Sequence, residues 1–187
     1  MLTLFNPRKA EEKLLERCRN QDRAAQFEMY QKYAEAMLRV AFQITHDEDE
    51  AQDVLQESFI RAFNKLDQFE GQSTFGAWLK RIVVNQSLNL VQRRTSLVYL
   101  DEFPEELDSP SEEISWDDVS DDMIRTSIDA LPDGYRVVLS LYLLEGYDHE
   151  EIAEILGIGV STSKSQYSRA KARLRTELKA YYNETRR

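Results

Sequence analysis

Residues 149–170 read HEEIAEILGIGVSTSKSQYSRA. This stretch has the pattern of two short helices joined by a tight turn. Ala153 is small enough for two helices to cross closely, and Gly157 can adopt the left-handed conformation that ends a helix. Asp148 and Glu151 have the spacing of a capping box, and Ser161 opens the second helix. This pattern is typical of a helix-turn-helix, whose second helix enters the major groove of DNA.

The second of these helices has a polar, cationic and acid-free outer face. When Tyr167, Ala170 and Leu174 pack inward, the residues left outside are Lys164, Ser165, Ser168, Arg169 and Lys171. Ser161 to Ser163 lie at the helix N-terminus, where free amides favour phosphate. A helical hairpin with a solvated basic face is the alternative interpretation.

Ser163 does not fit the apolar side of this helix. It lies four residues before Tyr167, where a buried Val or Ile is expected. Either its hydroxyl bonds back to a backbone carbonyl, or the two helices meet less tightly at this point.

Apolar residues spaced three and four apart predict three long helices before residue 95 and a short one near residues 10–20. The helix over residues 22–44 is predicted to bury Phe27, Tyr30, Ala34, Met37, Ala41 and Ile44. The next, capped by Asp47 and Glu50, is predicted to bury Ala51, Leu55, Phe59, Ala62 and Leu66. The third, from about Ser73 to Arg94, has the apolar face Phe75, Trp78, Leu79, Ile82, Gln86 and Leu90.

Acidic residues concentrate between the two helical regions. Of the 34 carboxylates in the 187-residue chain, eleven lie in residues 101–122, a segment without Lys or Arg, and they account for the net charge of −10. Prolines and serines make residues 96–122 a poor helix and a good tether. The sequence therefore predicts an all-α protein with helical domains at 1–95 and 123–187 and an acidic flexible linker at 96–122.

Enzymatic, metal-binding and membrane functions find no support. His46 and His149 are far apart in sequence, Cys18 has no metal-like spacing, and no glycine-rich phosphate loop is present. No apolar run approaches the roughly 20 residues of a membrane span. We expect a soluble cytoplasmic protein that is no enzyme, does not insert into a membrane and needs neither cofactor nor metal.

Two surfaces of the first domain suit partners. Residues 69–75 and the helix after them combine aromatic, amide and cationic side chains, including Arg81, Asn85 and Asn89, as single-stranded nucleic acid requires. The alternative is a solvated polar stripe above a buried aromatic core, and the residues by themselves favour it. On the preceding helix, Asp53, Gln56 and Glu57 share one side with Arg61, which is either a docking face or a solvated surface.

Taken together, these segments resemble the extracytoplasmic-function (ECF) group of bacterial RNA polymerase sigma factors. Two blocks carry the resemblance, in the family's order. The first is DEAQDVLQE at 49–57, with Phe59, LDQF at 66–69 and FGAWLKRIVVN at 75–85; the second is Leu131-Pro132, YDHEEIAEILGI at 147–158, Lys164-Ser165 and Arg169-Ala170-Lys171.

The resemblance implies a function and a set of site residues. It implies a factor that binds core RNA polymerase, recognises the minus-thirty-five and minus-ten promoter elements and promotes DNA opening. Asp53, Gln56 and Glu57 match the surface that docks on the beta-prime clamp helices, and the beta flap is a further contact of the polymerase. Roles in the minus-ten element, as duplex and as single strand, fall to Gln72, Ser73, Lys80, Arg81, Asn85 and Asn89. Roles in the minus-thirty-five element fall to Lys164, Ser165, Ser168, Arg169 and Lys171.

The family's pattern also implies an anti-sigma factor as a partner. Ser163 departs from this pattern, and so does Gln166, at whose position the pattern usually has a cation. Two other functions compete: a dimeric helix-turn-helix regulator that binds duplex DNA without polymerase, and an all-helical interaction protein that binds no DNA. Association with core polymerase and run-off transcription separate the three.

Overall fold

The computed structural model describes residues 7–94 and 119–185. Over these residues the protein is built from α-helices and contains no strand, which confirms the predicted all-α class. The helices are α1 (Pro7–Arg19), α2 (Arg23–Thr45), α3 (Glu48–Asn64), α4 (Phe75–Arg94), α5 (Asp121–Asp129), α6 (Asp133–Leu139), α7 (His149–Leu156) and α8 (Val160–Thr185). The chain divides into two compact units, Met1–Leu90 and Val91–Arg187.

Helices α2 and α3 form an antiparallel pair in the first unit. Asp22 caps α2 by accepting hydrogen bonds from the amides of Ala24 and Ala25, and Asp47 caps α3 through the amide of Glu50. Only His46, in a left-handed conformation, and Asp47 separate the two helices. The two helices pack against each other directly after this short turn.

The buried faces of this pair agree with prediction on α3 and differ on α2. All five residues predicted to be buried from Ala51 to Leu66 are buried. Phe27, however, is 60% exposed, and the N-terminal part of α2 buries Ala25 and Met29 instead. Two small or flexible side chains set the helical phase there, so the prediction that Phe27 is buried was wrong.

Helix α4 begins one residue after Thr74, whose hydroxyl accepts a hydrogen bond from the amide of Ala77. Phe75 and Leu79 are buried as predicted. Trp78, Ile82, Gln86 and Leu90 are only half-buried, and the fully buried positions are Val83, Val84, Leu88 and Val91. The predicted face is therefore displaced in the second half of the helix, because valines at adjacent positions bury a wider sector than one periodic stripe.

Helix α5 starts earlier than the periodicity suggested. Ser120 caps α5 through the amide of Met123, and Asp121 and Asp122 lie in the first turn, where carboxylates favour the positive end of the helix dipole. The last residues of the predicted 96–122 tether thus belong to a helix and its cap. The part of that tether before residue 119 lies outside the described residues.

A small apolar core holds α5, α6 and α8 together. It contains Leu131, Tyr135, Leu139 and Ala170, with Ile128, Tyr167 and Leu174 packed against it. Arg136 is also buried, and its guanidinium donates hydrogen bonds to the carbonyl oxygens of Asp129 and Leu131. These bonds fix the turn between α5 and α6. After Leu139 the chain continues as a π-helical turn over Ser140–Leu144.

Helices α7 and α8 have the predicted helix-turn-helix connection. The capping box of Asp148 and Glu151 is formed in both directions. Gly157 adopts φ 66° and ψ 33°, and its amide and that of Ile158 both donate to the carbonyl of Ala153. A side chain at Gly157 would strain this left-handed turn.

In the parts of the chain that the structure describes, no helix is long and apolar enough to cross a membrane. Cys18, the chain's single cysteine, is 2% exposed, and burial raises the pKa of its thiol.

Candidate promoter and polymerase interfaces

Three of the residues predicted to contact the minus-thirty-five element share one narrow sector of α8. Lys164, Ser168 and Lys171 are exposed, and at 100° per residue they fall within about 60° of one another. Lys171 places its ammonium 4.6 Å from the ring centre of Tyr167, close enough for a cation–π contact. We call Lys164, Ser168 and Lys171 the recognition stripe.

The other two predicted residues, Ser165 and Arg169, lie further around the helix and are half-buried. The Ser165 hydroxyl donates to the carbonyl of Thr162. Burial raises the pKa of Tyr135, and the charges of Arg169 and Arg173 oppose that rise. Arg169 therefore lies near the core of the second unit, at the flank of the recognition stripe.

Ser163 and Gln166, the two departures from the family pattern, are both buried. The Ser163 hydroxyl has a partner that the sequence did not suggest, because it lies 2.9 Å from Nδ1 of His149 on α7. Gln166 lies on the inner side of α8, so it is removed from the surface that carries the recognition stripe.

The loop before α4 packs on a cluster of aromatic rings and is hydrogen-bonded to α1. Phe69, Phe75 and Trp78 have ring centres 5.4–5.9 Å apart, and Arg19 donates a hydrogen bond to the carbonyl of Phe69. Gln72 and Ser73 are exposed above this base. The Gln72 amide donates to the Glu70 carboxylate at 2.8 Å, a bond between exposed groups that a base can displace.

Tyr33 joins this base to α1 and α2. Its ring lies 5.5 Å from that of Phe75, and its hydroxyl donates to Glu11, which also pairs with Lys32. Burial alone raises the pKa of Glu11, but the hydrogen bonds from Lys32 and Tyr33 outweigh it and the net shift is downward. The Glu11 hydrogen bond raises the pKa of Lys32.

The polar stripe predicted on α4 also includes Gln92, which is exposed. Its members assigned to the minus-ten element are Arg81, Asn85 and Asn89, and all three are exposed. They lie within about 80° of one another around the helix, and we call them the amide stripe. Lys80 is half-buried and lies about 100° from Arg81, beside the stripe rather than in it.

The docking face of α3, defined by Asp53, Gln56 and Glu57, is exposed and lies opposite the buried side of that helix. Glu57 accepts a long hydrogen bond of 3.4 Å from Arg61. Ile60, 57% exposed, lies seven residues after Asp53 and so within about 20° of it. Ile60 was not predicted from the sequence as part of this face, although its absence from the buried spacing of α3 was a visible signal.

No cluster of His, Cys, Asp or Glu in the described ranges could hold a metal ion. The exposed groups at these three surfaces are cations, amides, hydroxyls and carboxylates on α3, α4, α8 and the loop before α4. Side chains of these kinds are the ones that contact nucleic acids and proteins.

Two family models match the chain. Sigma-70 region 2 matches residues 29–96, which include the docking face and the amide stripe, and the model described as Sigma-70, region 4 matches residues 121–174, which include the recognition stripe.

Similar proteins are sigma factors. The chain is 30% identical to the RNA polymerase sigma-H factor of Pseudomonas aeruginosa over 86% of its own length and 90% of that protein, and 30% identical to the ECF sigma factor SigW of Bacillus subtilis over 79% and 85%. It is also 30% identical to SigE of Mycolicibacterium smegmatis over 84% of its length, but spans only 63% of that protein.

Solved structures agree with this comparison. RpoE of Bartonella quintana, solved with the anti-sigma factor NepR, superposes with a TM-score of 0.56 at 25% identity, over 81% of this chain and 95% of that one. CnrH, solved with the cytosolic domain of CnrY, has the same fold, with a TM-score of 0.54 at 24% identity over 89% and 96%. The chain therefore belongs to the ECF group of RNA polymerase sigma factors and serves promoter recognition and transcription initiation, a role that requires no catalysis of its own.

Proposed function

We propose that this sigma factor uses the recognition stripe of α8 to read the minus-thirty-five element in the major groove. One observation supports this role above the others: Lys164, Ser168 and Lys171 share one exposed sector at the start of the second helix of a helix-turn-helix. Lysines bind phosphates and guanine edges, and hydroxyls bond to either kind of base. Ser165 and Arg169 extend the contact along one flank.

The loop and the amide stripe serve the minus-ten element. Gln72 and Ser73 capture a base extruded from the duplex, and Asn85 and Asn89 bond to exposed base edges while Arg81 and Lys80 hold the backbone. Extruding a base costs a few kcal/mol, which a fitted pocket can offset. Two observations support this role. Gln72 and Ser73 are exposed above the aromatic base that holds the loop, and the amide stripe is exposed along one sector of α4.

The docking face of α3 binds the beta-prime clamp helices of core polymerase. Asp53 and Glu57 supply negative charge, Gln56 supplies an amide, and Ile60 adds an exposed apolar side chain among them. A buried apolar centre surrounded by polar groups is the usual composition of a protein interface. The second unit contacts the beta flap of the same enzyme.

An anti-sigma factor is the second protein partner we propose. One relative has been solved with such a protein: RpoE is bound to NepR, which is named as an anti-sigma factor. Because core polymerase is a cytoplasmic enzyme, we place the protein in the cytoplasm.

Run-off transcription with purified core polymerase tests the proposal. The template carries a promoter found by mapping the start sites that appear when this protein is overproduced. We expect transcripts from the chain plus core and none from core alone. The Lys164→Ala variant should lose about 5- to 100-fold in promoter affinity, the size of one base contact, and retain its affinity for core.

Arg175→Ala is the matched control. Arg175 is an exposed cation in the same sector of α8, three turns beyond Lys164. If both substitutions weaken promoter binding equally, α8 acts only as a diffuse positive charge and the assignment of a reading role to Lys164 is wrong. Tight dimeric binding of the promoter duplex by the chain alone would instead indicate a conventional regulator.

A further inference from the structure

The buried Ser163 hydroxyl links the two helices of the helix-turn-helix. Ser163 is 0% exposed, and its Oγ lies 2.9 Å from Nδ1 of His149, the first residue of α7. Either tautomer of the imidazole makes this bond, because the hydroxyl donates to a bare Nδ1 and accepts from a protonated one. A buried hydroxyl without a partner costs free energy, so the bond favours one orientation of α8 against α7.

The His149 ring is itself fixed by two tyrosines. Tyr142, from the π-helical turn, stacks on it with ring centres 4.6 Å apart and an interplanar angle of 24°. Tyr167 of α8 meets it edge-on at 5.6 Å and lies 4.4 Å from Tyr142. Three successive elements therefore converge on one imidazole.

The residues of α8 that contact His149 are neighbours in sequence of residues in the recognition stripe. Ser163 immediately precedes Lys164, and Tyr167 immediately precedes Ser168. Tyr167 also carries the Lys171 ammonium over its ring. Every residue of the stripe is thus either next in sequence to a His149 contact or in contact with one.

A small rotation of α8 has a large effect at the DNA. At a radius of about 5–6 Å, a 20° rotation of the helix displaces a surface side chain by about 2 Å, more than a hydrogen bond tolerates. An apolar side chain at position 163 would accept a range of rotations, whereas a hydrogen bond is directional. The polar pair therefore determines the angle at which the stripe faces the groove.

We propose that His149 is a positioning residue for promoter recognition, holding the recognition stripe in register through the Ser163 hydroxyl and the Tyr167 ring. The inference rests on the proposed reading of the minus-thirty-five element by α8. It also gives the serine at position 163 a role.

Two isosteric variants isolate the hydroxyl. Ser163→Thr retains it, and Ser163→Val has the shape of the threonine without it. Polymerase holoenzyme carrying each variant is titrated with a duplex containing the mapped minus-thirty-five element and with a scrambled duplex of equal length. We expect the ratio of the two affinities to fall about 5- to 10-fold for Val relative to Thr, while the affinity for the scrambled duplex stays constant. Equal ratios for Thr and Val would overturn the proposal.

His149→Phe completes a double-mutant cycle with Ser163→Val. Phenylalanine retains an aromatic ring between the tyrosines but has no hydrogen-bonding nitrogen. The double variant should be no worse than either single variant, because both remove the same bond. Additive losses would show that the two residues act independently and would contradict the pairing.

The imidazole signals show the bond without any DNA. The chain has only two histidines, so a His46→Asn background identifies the His149 resonances directly. These resonances should differ between the Thr and Val variants of position 163; identical spectra contradict the bond even where a variant folds poorly. If Lys164→Ala leaves promoter affinity unchanged, the reading role of α8 fails; if it weakens binding but the Thr and Val variants agree, only the role of His149 fails.

Discussion

Gly76 lies against the ring of Tyr33, and this contact fixes the start of α4. A Cβ atom at position 76 would lie 2.9 Å from Cε1 of Tyr33. The ring cannot move away freely, because its hydroxyl donates to Glu11 and its face contacts Phe75. The absence of a side chain at position 76 is therefore a packing requirement.

Replacing Gly76 tests this packing. Gly76→Ala should lower the free energy of unfolding by about 1–3 kcal/mol through overpacking, although alanine is the better helix former. Chemical denaturation of the purified chain measures the loss. In Tyr33→Leu, whose side chain is shorter, the same Ala substitution should cost less; an equal cost in both backgrounds would mean that Tyr33 is not the obstacle.

Asn85 is the residue of the amide stripe that most directly tests DNA opening. Asn85→Ala should reduce open-complex formation about 5- to 10-fold, the effect of one lost base contact, and leave initial duplex binding intact. Permanganate reactivity of unpaired thymines measures opening, and gel mobility measures initial binding. Gln92→Ala, an exposed amide about two turns further along α4, is the control. Equal defects in both variants would remove Asn85 from its assigned role.

The contacts of single side chains were the hardest feature to predict from the sequence. The sequence identified Ser163 as an anomaly, because a polar serine conflicts with a position on the apolar side of the helix. It could not identify His149 as the partner, since the two lie on different helices fourteen residues apart and only the turn at Gly157 brings them together. A polar residue at a helix start has no distinguishing signal of its own.

Helix α3 presents an apolar side chain in the middle of a polar face, and its exposure in the free protein makes its role measurable. Ile60→Ser should change the free energy of unfolding by less than about 0.5 kcal/mol. Core polymerase should bind the variant with about 1–2 kcal/mol less affinity, because the interface no longer buries the isoleucine. Fluorescence titration with core enzyme measures this loss.

Phe27→Ser is the control for Ile60→Ser. Phe27 is equally exposed, at 60%, but lies on α2 outside the docking face. Comparable losses of core affinity from both substitutions would mean that the interface is not centred on α3.

Glu11 attaches α1 to α2 through Lys32 and Tyr33, and this attachment depends on pH. The lowered pKa of Glu11 means that its contribution to stability is fully present above its usual value of 4.5 and is lost as pH falls through the lower folded value. The raised pKa of Lys32 means that its contribution persists below 10.5 and is lost at higher pH. Stability should therefore decline at both extremes.

Urea unfolding across this range measures the dependence. Glu11→Gln should flatten the decline below pH 4.5, whereas Glu16→Gln, an exposed carboxylate on the same helix, should leave it unchanged. An unaltered acid limb in Glu11→Gln would show that the ion pair does not form in solution.

At the level of elements, helical periodicity predicted which helices exist more accurately than which faces they bury. The buried face of α3 was correct because one clean stripe lies opposite a polar one. The faces of α2 and α4 were partly wrong because Ala25 and Val84 are too small or too closely spaced to dominate a periodic pattern. The caps at Asp47, Asp148 and Gly157 were predicted because each acts on its immediate neighbours in the sequence. The caps at Asp22 and Ser120 were not predicted.

For the whole chain, the segregation of charge matters more than its sum. Residues 101–118 carry nine carboxylates and no Lys or Arg, so removing them changes the formal net charge from −10 to −1. Charge that competes with DNA for cationic surfaces weakens the binding of phosphate. We propose that this segment reduces the DNA affinity of the free chain and that binding to polymerase relieves the competition.

Deleting residues 101–118 tests this effect and leaves the Ser120 cap of α5 in place. The free chain should bind duplex DNA at least about 10-fold more tightly at 50 mM salt, and the gain should shrink as salt screens the charges. Fluorescence anisotropy measures the affinity. A scrambled segment of identical composition should restore weak binding; unchanged affinity on deletion would refute the competition.

The overall architecture was available from the sequence because two helical regions and an acidic segment differ in composition as well as in pattern. The exact start of the second helical region was not. Asp121 and Asp122 continue the acidic run, and only the Ser120 cap separates them from it.

Because the thiol of Cys18 is buried, this protein is a poor direct sensor of oxidants. A sulfur that is shielded from solvent and resists ionisation reacts slowly with peroxide and with disulfides. An oxidant signal would therefore have to arrive through a second molecule. The same inertness leaves the natural chain ready for site-directed labelling, since a cysteine introduced on an exposed helix would react with maleimide dyes ahead of the native one.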